Sequence, residues 1–304
     1  MTTKTTLEVD DVTKTFTTVR AVDGLSFTAK SGTVFGLLGP NGAGKTTTIR
    51  MVLDIIVPDS GAVRWQGKTI NADIRRTFGY LPEERGLYPK MKVRDQLMFL
   101  AQLHGLAALD AKKTIEDLAS QLNLTEHLEK APQELSKGNQ QKVQFIAAVV
   151  HAPPLLVLDE PFSGFDPVNV EVVKNSIRQL LAADTTVLLS SHRMEQVEEL
   201  CEDVCIIDRS RAVQSGNLRD IKRNWPDRFV RMTQLPNTDF LKAFPGASIM
   251  PSQNGYLDVK LPAGHSPAEL ARAAIASGPL DHFEVVEPSL NDIYLAAVKP
   301  EPTA

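Results

Sequence analysis

An α/β fold built on a parallel sheet, interrupted by a block of helices and followed by a small α+β domain, is what the sequence predicts. Three observations carry this. Short apolar runs, "TVFGLLG", "LLVLDE" and "TTVLLSSH", are separated by helical spacing, the pattern of strands buried on both faces. From about Val93 to Val150 the apolar residues recur instead at i, i+3, i+4. Past "NLRDIKRNWPD" the pattern starts afresh.

Taken in order, "LEVDDV" and "AVDGLSFTA" read as strands, then the turn "KSG", then the buried strand "TVFGLLG". A glycine loop follows, and "KTTTIRMVLDII" has helical spacing up to Pro58. "AVRWQGKTI" reads as a hairpin around Gln66–Gly67, and "RTFGYLP" as a strand ended by Pro82. "VRDQLMFLAQLHG", "AKKTIEDLASQLNL" and "QQKVQFIAAVV" form the helical block. Strand "LLVLDE", helix "VNVEVVKNSIRQLLA", strand "TTVLLSSH" and the hairpin "VCIIDRSRAVQSG" complete the first domain. The second reads as strand "RFVRMTQ", helix "TDFLKAF", strands "ASIMPS" and "GYLDVKLP", helix "SPAELARAAIASG", strand "HFEVVE" and a last helix "LNDIYLAAV". That βαββαβ order predicts a ferredoxin-like domain, and "KPEPTA" reads as a loose tail.

A length of 304 residues suits one large domain plus a small one, and 42% apolar residues suffice for a sizeable core. The formal charge of -4 argues against a general nucleic-acid footprint, which is basic. Cys201 and Cys205 are too few for a disulfide framework and lack histidine partners for a metal, so they read as buried thiols in a reducing compartment. "MTTKTTLEVD" has no apolar h-region, so no signal peptide is expected. No run approaches the roughly 18 apolar residues of a spanning helix, so any membrane part must come from another chain.

"GPNGAGKTT", Gly39 to Thr47, fits G-x-x-x-x-G-K-[ST] between a predicted strand and a predicted helix, the context of a P-loop. Its backbone N–H groups, among them those of Asn41, Gly42, Gly44 and Thr47, wrap a phosphate at a positive helix end. Lys45 reaches the β- and γ-phosphates, and the Thr46 hydroxyl holds Mg2+. "LLVLDEP", Leu155 to Pro161, ends a buried strand in two acids, where ligands bind in parallel sheets. Asp159 is then the Mg2+ partner and Glu160 polarises a water towards the γ-phosphate. A plainer reading makes the pair helix-capping acids.

With these motifs joined to others, the chain resembles the nucleotide-binding subunits of ABC transporters over about residues 5 to 220. "LSKGN", Leu135 to Asn139, aligns with the signature LSGGQ, and "SGFDP" with the D-loop, Asp166 at its aspartate. "SSH" ends at the switch histidine, His192; "GYLPE" covers the Q-loop, Glu83 at its end; "KTFTTVRAV" places Phe16 at the adenine-stacking aromatic. The resemblance implies a P-loop NTPase cassette over 1–222, with a RecA-like core, an antiparallel β subdomain and a helical subdomain at about 90–150, and an accessory domain over 227–300. It implies ATP and Mg2+ as ligands, and Ser136, Gly138 and Asn139 closing over the nucleotide of a second subunit, a copy or a paralogue. It also implies a cytoplasmic protein, peripheral on the inner face of the membrane.

"GYLPEERGLYPKM", "LSKGNQQK", "SSHRMEQVEELC" and the terminal "SLNDIYL" further resemble the sodium-exporter, NatA-like branch, which implies an ABC-2 type permease partner and export of sodium or another small toxic solute. Departures are Glu83 where the family has glutamine, and Lys137 and Asn139 in the signature. A carboxylate only accepts hydrogen bonds, but it can ligate Mg2+. Phe16, Glu83, Asp166 and His192 also admit plain readings as strand-end, surface or turn residues. His104, His127, His151, His265 and His282 show no partners in the sequence. An alternative function stays open, a soluble ABC-type ATPase acting on nucleic acid or ribosomes, as does a ligand-sensing role for the accessory domain. As local structure, Ser136 is expected to cap the helix that follows it.

Overall fold

In the computed structural model the described residues are 5–84, 86–250 and 255–298. Leu7 and Val9 point inward with the two-residue period of a half-buried strand along Thr5–Phe16 (β1). A bulge at Asp11, φ 49°, then resets the phase so that Val12 also faces in. Val19–Lys30 (β2) pairs antiparallel to it. Val34–Leu38 (β3) is buried throughout, and Lys45–Val52 (α1) follows the glycine loop. Ser60–Trp65 (β4) and Lys68–Thr69 (β5) make the expected hairpin, Gln66 and Gly67 both taking positive φ. A single turn, Ala72–Arg75 (α2), leads to Gly79–Leu81 (β6).

The helical block is Val93–Leu103 (α3), Ala108–Gln121 (α4) and Lys137–Val149 (α5), each with a buried stripe. Leu155–Asp159 (β7), Pro167–Ala182 (α6), Thr186–Ser191 (β8), Met194–Leu200 (α7), Asp203–Asp208 (β9) and Arg211–Asn217 (β10) follow. The six-stranded sheet runs β10-β9-β3-β8-β7-β6, with β9, β3, β8, β7 and β6 paired parallel. A four-stranded antiparallel sheet, β2-β1-β4-β5, lies apart from it in hydrogen bonding. One apolar core joins the two: Phe27 of β2 stacks on Phe35 of β3 at 4.6 Å, and Trp65 of β4 meets Phe78 edge-on at 5.3 Å.

The chain divides into two compact units, Met1–Gly216 and Asn217–Ala304. The second contains Leu218–Arg223 (α8), Arg228–Thr233 (β11), Ser248–Met250 (β12), Tyr256–Leu261 (β13), Pro267–Ser277 (α9), Phe283–Val286 (β14) and Leu290–Ala297 (α10). Its sheet is antiparallel in the order β12-β13-β11-β14, which is the 4-1-3-2 order of a ferredoxin-like fold read from the other edge. Val230, Met232, Leu257, Val259 and Leu261 face a core with Leu270 and Ala274 of α9. On the opposite side Arg231 grips Asp258, its register partner, through two hydrogen bonds of 2.8 and 2.9 Å.

Four sequence expectations are corrected. The first helix ends at Val52, not near Pro58, because Asp54 turns left-handed (φ 52°) and Ile55 and Ile56 donate back to Arg50 O. "TDFLKAF" makes only a 3-10 turn, Asp239–Ala243, and "NLRDIKR" forms α8, capped by Asn217, where no element was expected. The expected strand "RTFGYLP" shrinks to Gly79–Leu81. The tail from residue 299 lies outside the described residues.

Candidate nucleotide site

The loop between β3 and α1 turns back on itself to present its amides at the start of α1. Gly44 makes this possible: at φ 111° an added Cβ would lie 2.4 Å from Ala21 O. Lys45, the first residue of α1, curls under the loop and donates to Gly39 O at 2.8 Å and Pro40 O at 3.2 Å. Burial lowers its pKa, and the fields of Glu160, Asp159 and Glu83 oppose that effect. Those three acids therefore face the ammonium from the other wall. Asn41, Gly42, Gly44, Lys45, Thr46 and Thr47 line one side of a cleft of about 300 Å³, and Glu83, Asp159 and Glu160 the other. All nine are among the residues singled out from the sequence.

The acid pair is set by β7 and β8. Asp159 ends β7, buried, and Ser190 of β8, its register partner, donates a hydrogen bond to its carboxylate. Glu160 takes φ 50°, a left-handed backbone that costs a non-glycine residue of order 1 kcal/mol. The strain is held by its amide bonding to Ser190 O at 3.1 Å, and it turns the side chain away from the strand direction. His192 Nδ1 lies 2.9 Å from Glu160 Oε2, with the His192 side chain 60% exposed. A carboxylate only accepts, so Nδ1 carries the proton and donates. Ser191 Oγ stands 3.5 Å from the same oxygen. Ala21, Ser190 and Ser191 were missed in the sequence; the serines' only trace there was the doubled serine of "SSH".

The remaining candidates lie elsewhere. Phe16 ends β1, 43% exposed, with Lys14 Nζ 5.7 Å from its ring centre, and is not part of the cleft wall. Ser136 caps α5, accepting from Asn139 N at 3.2 Å as expected. Gly138 faces the D-loop: a Cβ there would meet the Phe165 ring at 3.5 Å. Asp166 caps α6 through Asn169 N at 3.0 Å. Asn139 turns inward, its amide 3.1 Å from His127 Nε2, which accounts for the short amide in the signature. Nothing in the structure explains Lys137. The signature and the D-loop thus form one patch, separate from the cleft.

Among the described residues no group of three or more His, Cys, Asp or Glu side chains converges as a metal cage. Mg2+ on a nucleotide asks for less, namely one or two carboxylates or a hydroxyl, with waters and phosphates completing an oxygen shell. The oxygen donors of Thr46, Asp159 and Glu83 on one cleft fit that requirement.

Two protein families match the chain: "ABC transporter" over residues 22–163, and "ATP-binding protein DrrA1-3-like, C-terminal domain" over residues 216–298. The ABC transporter ATP-binding protein YhaQ of Bacillus subtilis is 44% identical over 292 residues, 96% of this chain and 98% of its own length. The linearmycin resistance ATP-binding protein LnrL of Bacillus subtilis is 35% identical, covering 75% of this chain and 74% of its own. The Nod factor export ATP-binding protein I of Ralstonia nicotianae is 35% identical, covering 71% and 68%. A solved structure described as the ATP binding subunit of an ABC transporter superposes with a TM-score of 0.68 at 30% identity, over 72% of this chain and 93% of that one. With a phosphate cradle and two strand-end acids meeting at one cleft, a histidine bonded to the second acid, and relatives this similar along nearly the whole sequence, the chain belongs to the ATP-binding subunits of ABC transporters, which are ATPases coupled to transport.

Proposed function

We propose that this subunit pairs head to tail with a second one on binding ATP, and so drives a separate ABC-2 type permease in export. The observation that carries this reading is the convergence of Lys45, Asp159 and Glu160 on one cleft, with His192 bonded to Glu160, while Ser136, Gly138 and Asp166 stand on a separate patch. One chain has its own phosphate cradle, so the second patch serves the nucleotide of a partner. The names of two relatives, for Nod factor export and linearmycin resistance, support export. Among the described residues no helix is long and apolar enough to cross a membrane, which supports a permease on another chain and a peripheral position at the inner membrane face. Tyr88, and Phe99 and Leu103 of α3, are exposed apolar side chains available to that permease. Sodium or another small toxic solute is the cargo the NatA-like resemblance suggests.

The chemistry follows from the side chains. Loop amides and Lys45 hold the β- and γ-phosphates, and Phe16 gives its ring face to the adenine. Glu160 accepts a hydrogen bond from the attacking water, turning its lone pair towards the γ-phosphorus. His192, already donating to Glu160, holds that carboxylate in place and swings to the γ-phosphate once nucleotide is seated. Thr46, Asp159 and Glu83 would hold Mg2+, which neutralises charge building on the phosphate oxygens.

Glu160→Gln tests the reading. It keeps the bulk and removes the charge, so the variant should bind ATP, hydrolyse almost none and accumulate as a dimer by light scattering. A variant that stays monomeric in saturating MgATP contradicts the pairing. Purification from membranes should bring down a multi-span protein; ribosomal RNA in its place would favour a soluble ATPase instead.

A further inference from the structure

Two helices carry the motifs on either side of hydrolysis. Asp166 caps α6, its carboxylate accepting from Asn169 N at 3.0 Å and Asn169 Nδ2 at 2.6 Å. The second helix, α7, begins two residues after His192, and Arg193 N donates to Ser191 Oγ at 3.0 Å. Against the sheet, α7 is seated over Gly36 of β3, where an added Cβ would lie 3.0 Å from Val197 and 3.1 Å from Cys201. Met194, Val197 and Leu200 bury one stripe of α7 and seat it on the sheet, so its outer face meets α6.

Between α6 and α7 the packing is incomplete. A cavity of about 320 Å³ lies between the first turns of the two helices, with Phe165, Val170, Arg193 and Gln196 on its wall. Gln196 Oε1 is buried without a donor. What joins the helices is charge. Lys174 of α6, 5% exposed, donates to Glu171 Oε1 at 2.8 Å and to Glu199 of α7. The other oxygen of Glu199 accepts from Arg178, one turn further along α6, at 2.5 Å. Burial pulls the Lys174 pKa down, but Glu171 and Glu199 outweigh it, so the ammonium stays charged. With Lys174 buried but Glu199 42% exposed, this ion pair is a poor way to gain stability. It is a good way to fix direction, because both oxygens of Glu199 are held from successive turns of one helix.

We propose that the Lys174–Glu199 clamp sets the angle of α7 against α6 and so places His192 and Glu160 in register with the D-loop, making Lys174 and Glu199 positioning residues for hydrolysis. The inference rests on the ATPase reading above.

Three variants of the full chain test it: Lys174→Met, Lys174→Arg and Glu199→Gln. Lys174→Met should lower kcat about tenfold, the scale of a small misplacement of reacting groups. Its affinity for ATP, read by calorimetry, should not change. Lys174→Arg should stay within about twofold of wild type, since it keeps the charge and the N–H donors that hold Glu199. Amide exchange at residues 190–197, read without nucleotide, should quicken in Lys174→Met and not in Lys174→Arg. If Lys174→Met does not fold, Glu199→Gln decides, since it keeps the shape and sits half-exposed. A folded Lys174→Met or Glu199→Gln with wild-type kcat, with unchanged exchange, or with ATP affinity falling in step with kcat, overturns the clamp. Wild-type protein that hydrolyses no ATP would sink the functional reading alone, because the exchange comparison needs no turnover.

Discussion

Replacing His151 by phenylalanine should make the ATPase unit more tolerant of acid. His151 lies between α5 and β7, its ring stacked on His104 just beyond α3 at 3.7 Å. Its Nε2 faces Phe78 O at 3.2 Å and so carries the proton, while Nδ1 is buried with no partner. A second proton would sit against the His104 ring, and the backbone of Phe78 and Thr77 offsets that only in part. Burial first, and His104 second, hold the His151 pKa down at about 4 against an ordinary 6.5. The sign follows from the proton count. Between pH 6.5 and about 4 the unfolded chain takes up a proton that the folded chain refuses, so acid favours unfolding. Over that window the linkage, at about 1.4 kcal/mol per pH unit, comes to roughly 3.4 kcal/mol. The ring is only partly buried, and screening by solvent reduces this to about 2 kcal/mol. His151→Phe keeps the stack and loses the bond to Phe78 O, about 1 kcal/mol at every pH, so it lowers the curve without setting its slope. The assay is urea unfolding from pH 7.5 to 4 in a Trp225→Phe background, where Trp65, in contact with Phe78, reports the ATPase unit. Wild type should lose about 2 kcal/mol more than His151→Phe across the window. Parallel curves would refute the reasoning.

Three further outcomes are expected. Ser190→Ala takes from Asp159 the donor that aims it, so half-maximal ATPase should need about tenfold more Mg2+; an unchanged Mg2+ dependence contradicts this. Gly79→Ala puts a Cβ 2.2 Å from Ala148 O and 2.9 Å from Leu156 and Pro153, an overpacking worth at least about 1–3 kcal/mol in unfolding experiments. A wild-type midpoint would show that β6 can shift cheaply. Ser136→Arg should abolish hydrolysis and leave ATP binding by the monomer intact, whereas lost binding would place the signature on the chain's own nucleotide.

What could be read from the sequence was what local chemistry dictates. "GPNGAGKTT" and "LLVLDEP" bring their own constraints, since a glycine loop before a helix and acids after a buried strand have few other uses. The strands of the second unit were visible because β11 and β13 send alternate residues into its core, whereas the expected first helix is only a 3-10 turn. What stayed hidden depends on the return of distant chain. The stop of α1 lies in the left-handed Asp54, not in the apolar spacing, which runs on through Ile55, Ile56 and Val57. Histidines that showed no partners have them in space: His104 with His151, His127 with Asn139, His265 with Phe244, His282 with Tyr256.

The same distinction explains why the motif residues were found and their supports were not. In the proposed function Lys45, Asp159 and Glu160 meet a phosphate and its metal, and that task narrows the residue type. Ser190 must only meet Asp159, and many small donors would do; its register across β7–β8, not its identity, makes it matter. Glu83 belongs to the first class by position and departs from it by type. Its carboxylate adds a third negative field on Lys45, beside Glu160 and Asp159. A cleft that tolerates three acids around one lysine is suited to a ligand that brings a divalent cation with its phosphates, and poorly suited to phosphate alone. Under the proposed function, that balance favours a metal-holding role for Glu83 over a base's role.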